Sequence, residues 1–363
     1  MRDMLRPPEG GLDWLDATGA HADIVLSTRI RLARNLQGFS FGPRAGDADR
    51  RMVAELARDA AEAAPLLQGG SALNIAALSG ADRRVLHERH LVSTELIGGE
   101  DGTPPTHAAL LLAPRESLGV MVNEEDHLRL QGLLSGFRLR DAWQMVDALD
   151  EELGGRLSYA YHPEFGYLTS CPTNVGTGLR ASVLMHLPGL VLTQEIGKVL
   201  QGMGQVGLTF RGLYGEGSEV VGNFFQISNQ TTLGKTEEDL IDQLQKIVQQ
   251  VVNYEKLARG ILQRDAPHVI EDKVWRAYGL LRYARSISFD EVMNLLSGVR
   301  LGISLKLLPG TSVYTLNQLM IFTQAAHLEQ AAGKPLTSAE SDVHRATYVR
   351  RTLAREGDPS VEG

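Results

Sequence analysis

Three acids, a histidine and an arginine crowd into the run Asn123-Glu124-Glu125-Asp126-His127-Leu128-Arg129, straight after the apolar residues 118–122. Adjacent like charges repel, so the run is costly unless a cation lies among the acids. Three other segments set arginines beside glycines or on strand-like stretches. The first is Ser27-Thr28-Arg29-Ile30-Arg31. The second runs from Cys171 through Gly176 and Gly178 to Arg180, Ala181, Ser182, Val183 and Leu184. The third is Arg211-Gly212-Leu213-Tyr214-Gly215-Glu216. With Arg129 they supply five arginines for one site. The planar guanidinium fork binds phosphate in a bidentate way, and its charge does not titrate away. On a strand, Arg29 and Arg31 point to the same face and can clamp one oligophosphate. Glycines at 176, 178, 212, 215 and 217 let the backbone approach a ligand closely. Phosphoryl transfer asks a protein mainly for positioning and charge neutralisation, and this grouping meets both demands. The chemistry indicated is binding of a nucleoside triphosphate.

The elements that must position these residues follow from the hydrophobic pattern. Residues 23–26 form a short strand that opens into the first arginine pair. Residues 108–112 and 118–122 are apolar and joined by Pro114 and its neighbours, which predicts an antiparallel pair. Helices are expected over 48–64, 81–90, 141–153 and 190–203, with strands over 208–211 and 223–228. At Thr236-Glu237-Glu238-Asp239 an N-cap with acids in the first turn begins a long amphipathic helix. From there to about residue 355 the pattern is helical throughout, with breaks expected at Pro267, near 298–302 and at Pro309-Gly310. Two motifs are decoys. Gly202-Met203-Gly204-Gln205-Val206-Gly207 spells a dinucleotide fingerprint, but its helix precedes its strand, the reverse of what that motif needs. Gly234-Lys235-Thr236 ends like a phosphate-binding loop whose first glycine would fall at Asn229.

Bulk properties exclude several classes. A net charge of −8, all of it carried before residue 264, disfavours nucleic acid as a partner. No apolar stretch is long enough to span a membrane, and the first residues lack the apolar core of a secretory signal. The single cysteine, Cys171, rules out an internal disulfide framework and fits the cytoplasm.

Taken in order, the segments Ser27–Arg31, NEEDHLR at 123–129, CPTNVGTGLR at 171–180 and the arginine-glycine loop at 211–216 resemble the phosphagen (ATP:guanidino) kinases. The resemblance covers about 20–250. It implies an α+β catalytic domain with an antiparallel sheet flanked by helices over 20–250, followed by an all-helical domain over 251–363. It further implies ATP as substrate, with Mg²⁺ carried by the nucleotide rather than by a protein metal site. Arg29, Arg31, Arg129, Arg180 and Arg211 would clamp the phosphates, and the stretches 27–31, 180–184 and 211–215 together with His90 would contact the nucleotide. Glu125 and Glu216 would align a guanidinium nitrogen and accept its proton, and Cys171 would lie against that guanidinium.

Only 26 residues precede Ser27, too few for the N-terminal lid domain of the small-molecule phosphagen kinases. A helical domain follows the catalytic one instead, a layout similar to the bacterial kinases that phosphorylate arginine side chains in proteins and mark them for Clp-type proteolysis during stress. Protein substrates with accessible arginines, an activator protein, the Clp protease and a second copy of the chain are the partners this implies. Those kinases carry an R-D-x-x-R-A motif that binds phosphoarginine. Here Ser341 replaces its first arginine, while Asp342, Arg345 and Ala346 agree. A kinase of free arginine and a catalytically inactive phosphoarginine-binding adaptor are the alternative readings.

Overall fold

The computed structural model describes residues 11–213 and 220–357. Among these, the strands are β1 (Val25–Arg34), β2 (Ser71–Asn74), β3 (Ala109–Leu112), β4 (Leu118–Val122), β5 (Leu128–Ser135), β6 (Tyr161–His162), β7 (Gly166–Tyr167), β8 (Leu179–His186), β9 (Leu208–Arg211) and β10 (Phe224–Asn229). All but the β6–β7 ribbon join one sheet in the order β2-β3-β4-β5-β1-β8-β10-β9, antiparallel at every step. The expected pair 108–112 with 118–122 is β3–β4.

Alternation along β1 decides what each face of the sheet does. Ile30 and Leu32 are fully buried on one face, while Arg29 and Arg31 stand on the other. The apolar face packs against α1 (Asp47–Glu62), α3 (Leu139–Gly154) and the long α6 (Glu237–Asp265), through residues such as Val53, Val146, Leu149, Leu244 and Val248. Gly132 lets α3 lie close to the sheet. A Cβ there would sit 2.6 Å from Val146 Cγ2.

The other helices are α2 (Gly80–Glu88), α4 (Pro188–Leu192), α5 (Ile196–Gln205), α7 (Pro267–Tyr283), α8 (Phe289–Ser304), α9 (Val313–Phe322), α10 (Ala325–Ala332) and α11 (Ser338–Glu356). A second core, built from α7, α8, α9 and α11, also takes in Trp14, Leu15, Leu133, Leu184 and Phe224. Leu133 and Leu184 share the arginine face of the sheet, so the helical unit covers one end of that face.

Two expectations need correction. The helix expected over 190–203 is two helices, α4 and α5, divided where Gln194 takes a positive φ of 60°. The break expected near 298–302 does not occur, because α8 runs unbroken through both glycines. Those glycines serve packing. A Cβ on Gly302 would lie 2.3 Å from Val274 Cγ1, and one on Gly298 would lie 3.2 Å from the Ala277 Cβ. Thr236 and Asp239 form the reciprocal capping box that starts α6. No described helix is long and apolar enough to cross a membrane.

Candidate active site

The antiparallel register assembles the arginines. Arg31 lies opposite Arg180 of β8 on one side and opposite Gln131 of β5 on the other, which puts Arg129 and Arg29 on the same face. Arg211 of β9 lies opposite Gln226 of β10, and Gln226 lies opposite Leu184. Side chains from five adjacent strands therefore point into one cleft of about 600 Å³, within the range of small-molecule sites. Arg29, Arg31, Arg129, Arg180 and Arg211 all line it, with His87, His90, Glu124, Glu125 and Cys171.

The cleft is strongly cationic. Burial, helped by Arg180 and Arg129, pushes Arg29 down to about 10. Burial and the neighbouring guanidiniums hold Arg31 well below its usual range. Such a cluster suits an anionic ligand. Arg29 Nη2 donates to Gln226 Oε1 at 3.0 Å.

The acid-rich run resolves into separate duties. Asn123 makes the turn with φ +57° and donates to the Arg50 and His107 carbonyls at 2.8 and 3.1 Å. Glu124, its side chain fully buried, accepts from Arg129 Nη1 at 2.6 Å, from the Ser93 hydroxyl and from the Glu125 amide at 3.0 Å. Glu125 is 41% exposed to the cleft and accepts from Arg129 Nη2 at 3.1 Å. Burial raises the Glu125 carboxyl above its ordinary value of 4.5; Asp126 and Glu124 add to this and Arg129 opposes it. On Arg129 burial is the largest single influence and lowers its pKa, but Glu124, Asp126 and Glu125 together outweigh it. Asp126 accepts from the Asn35 side chain and the Ser170 amide, both at 2.7 Å, and so fixes the residue before Cys171. His127 accepts from the Leu36 amide on Nδ1 at 3.0 Å and donates from Nε2 to the Ser40 carbonyl at 3.1 Å. It is a structural histidine.

The remaining predicted residues divide by face and by position. Ser27, Ser182 and Leu184 line a narrow extension of the cleft beside His90. Thr28, Ile30, Ala181 and Val183 are buried on the opposite face. Thr28 donates there to the Gly136 carbonyl at 2.6 Å, so only the backbones of these four could reach a ligand. Cys171 Sγ lies 3.0 Å from Thr173 Oγ1, at the mouth. Gly212 and Leu213 follow Arg211, whereas Tyr214, Gly215 and Glu216 lie outside the described residues. Asp342 and Arg345 are not in this cleft. Arg345 is buried in the helical unit, donating to the Thr323 carbonyl (2.8 Å), the Ile287 carbonyl (3.0 Å) and Asp342 (2.5 Å), with Ser341 also buried.

Sequence reasoning gave no role to Glu124, Arg50, His87 or Gln226. Glu124 stood in the acid run itself. Arg50 reads as an ordinary cation of α1, yet it donates to the Gly42, Ala45 and Asn123 carbonyls and ties that segment to the acid run. Only the register exposes Gln226.

Residues 52–258 match the family profile described as ATP:guanido phosphotransferase, C-terminal catalytic domain, and residues 267–362 match the protein-arginine kinase McsB C-terminal domain. The protein-arginine kinase of Moorella thermoacetica is 46% identical over 346 residues, 94% of this chain and 97% of its own length. The chain belongs to the protein-arginine kinase family. Other members at similar distance are the protein-arginine kinases of Symbiobacterium thermophilum (45% identical, 94% of this chain and 96% of that one) and Bacillus cereus strain G9842 (45%, 94% and 96%). Among solved structures, lombricine kinase is similar with a TM-score of 0.57 and 23% identity over 69% of this chain and 71% of its own, a likeness of fold. The duplicated taurocyamine kinase of Schistosoma mansoni with bound transition-state-analogue components is similar with a TM-score of 0.58 and 25% identity, covering 74% of this chain and 38% of that one. The α+β fold with an antiparallel sheet flanked by helices is thus that of the phosphagen kinases, and the helical C-terminal region matches the McsB C-terminal domain.

Proposed function

We propose that this chain transfers the γ-phosphoryl group of MgATP to the guanidinium of arginine side chains in proteins. The observation that carries the proposal is one cleft lined both by arginines from neighbouring strands and by the half-exposed carboxylate Glu125, which pairs with Arg129. Arg29, Arg31, Arg129, Arg180 and Arg211 neutralise the phosphates, and the stretches 27–31, 180–184 and 211–215 with His90 hold the nucleotide. The guanidiniums facing the cleft suit phosphate. Mg²⁺ is proposed to arrive as part of the nucleotide, where it would neutralise developing phosphate charge.

Glu125 accepts the proton of the attacking guanidinium nitrogen as the N–P bond forms and the P–O bond to the departing ADP breaks. Its raised pKa makes it a better proton acceptor than an ordinary carboxylate. Glu216 is proposed as the second carboxylate that aligns the guanidinium, and Cys171 as the group lying against it. Asp342 and Arg345 are proposed as the phosphoarginine contact of the helical unit, a role that Arg345 would combine with its structural bonds.

The division into a catalytic unit over 20–250 and a helical unit over 251–363 belongs to the same proposal. So do cytoplasmic location, an activator protein, a homodimer and delivery of phosphorylated proteins to Clp-type proteolysis. Their support is the match to the C-terminal domain profile and the likeness to named protein-arginine kinases.

The test offers MgATP with an unfolded arginine-containing protein or with free arginine, and scores acid-labile phosphate on arginine by mass spectrometry. Label on the protein with little on the amino acid is the expected result. Label on free arginine alone would make the chain a small-guanidine kinase.

A further inference from the structure

Helix α10 starts without a cap of its own, since Gln324 at its N-cap position makes no capping side-chain bond. Its first amides are satisfied from far away in the sequence. Glu88, the last residue of α2, accepts from the Ala326 amide on Oε1 at 2.8 Å and from the His327 amide on Oε2 at 3.0 Å. The His327 ring donates its Nδ1 proton to the same Oε2 at 2.6 Å, and both side chains are nearly buried. One turn earlier, Arg84 pairs with Glu329 at 2.9 Å. A carboxylate at a helix N-terminus satisfies free amides and meets the positive end of the dipole.

What α2 carries explains why this latch matters. The helix ends in a Schellman turn, with the Leu91 amide on the Leu86 carbonyl (3.1 Å) and the His90 amide on the His87 carbonyl (2.9 Å). The position that turn usually gives to glycine is held by His90 at φ +60°. A non-glycine residue stays there only where its surroundings over-determine it. Here the Trp14 ring meets His90 edge-on at 5.6 Å, Gln131 donates to the His90 carbonyl at 2.8 Å, and Arg89 is buried against Glu116 at 2.8 Å. His87 and His90 both line the cleft beside Arg29. Just before α10 the Thr323 carbonyl accepts from Arg345, so α11 and α2 both hold the start of α10.

We propose that Glu88 and His327 are positioning residues for nucleotide binding. Their latch braces α2 so that the turn at 87–90 stands against the arginine cluster, which makes α10 a working part of the nucleotide site. The proposal rests on reading the cleft as the ATP site. It gives the helical unit a hold on the cleft through the turn at 87–90.

The test measures ATP affinity by calorimetry and steady-state kinetics on the full chain, for wild type, His327→Ala, Glu88→Gln, the double variant and His327→Asn. Each of the first two weakens ATP about 5- to 10-fold while kcat stays within about 2-fold and the KM for the protein substrate is unchanged. The double variant is no worse than Glu88→Gln alone, because the bond from the His327 ring is one of the three that Glu88 accepts. Asparagine, whose Nδ2 can take the place of the ring Nδ1, recovers affinity to within about 2-fold. Variants that melt earlier yet bind ATP like wild type would reduce the latch to a stabilising contact and overturn the proposal. If His327→Ala does not fold, Glu88→Gln decides, and unchanged affinity overturns it. A wild type that does not bind ATP overturns the site reading itself, and the positioning role with it.

Discussion

At the scale of residues, the cleft is built against its own stability. Guanidiniums on adjacent strands repel one another, and burial together with that repulsion holds Arg29 at about 10 and Arg31 lower than usual. Arg31→Met should therefore stabilise the ligand-free protein by about 1 kcal/mol while weakening ATP at least about 10-fold. Calorimetric melting and titration of the same variant check both signs. A variant that is less stable and binds ATP normally would contradict the phosphate-clamp role.

Glu125 makes a second prediction, in pH. Its carboxyl titrates above the ordinary 4.5, chiefly through burial. A base works deprotonated, so as the pH falls through that raised pKa the rate is lost. The acid limb of kcat/KM should lie above 4.5 and should vanish from the residual activity of Glu125→Gln. A limb at or below the ordinary carboxylate range would exclude Glu125 as the base. The acid run was legible as a site because like charges in sequence demand cations in space. The separate duties of Glu124, Asp126 and His127 were not legible, since their partners, Ser93, Asn35 and Leu36, lie on other segments.

At the scale of elements, one buried arginine ties the site to its scaffold. Arg34, at the end of β1, pairs with Asp150 of α3 at 2.7 Å and approaches Glu237 of α6 at 3.5 Å. It also donates to the Thr177 carbonyl at 2.7 Å and lies 3.6 Å from the centre of the Tyr167 ring. It therefore holds the glycine-rich loop between Cys171 and Arg180 in register with two helices. Arg34→Ala should cost about 3–5 kcal/mol, because it leaves buried carboxylates unpaired. Denaturant unfolding measures this, and a loss below about 1 kcal/mol would show that the network is dispensable. Strands and amphipathic helices were readable from their periods of 2 and 3.6 residues. Gly298 and Gly302 were not. A glycine in a sequence signals a break, and only the packed partner, α7, shows that here it permits close approach.

At the scale of the whole molecule, the sheet has two working faces. One is apolar and carries α1, α3 and α6; the other carries the arginines and, at one end, the helical unit. Binding an anion to the second face should stabilise the entire chain. MgATP at about 100 times the wild-type Kd should add about 2.7 kcal/mol, seen as a rise in Tm that a roughly 10-fold weaker Arg31→Met cuts to about half or less. A ligand-independent Tm would mean that the cleft does not take nucleotide. The family was legible from four short motifs. The hold of α10 on α2 was not, because Glu88 and His327 lie 239 residues apart, and no local pattern announces a contact at that range.

Glu125 is assigned to transfer rather than to binding. That role is tested most directly by Glu125→Gln, followed by rapid-quench transfer from MgATP to an unfolded arginine-containing protein, with ATP affinity measured on the same sample. Transfer by this variant should be slower by about 10²-fold or more, with ATP affinity within about 2-fold of wild type. Near-normal transfer by that variant would contradict it, and the base would have to be sought elsewhere.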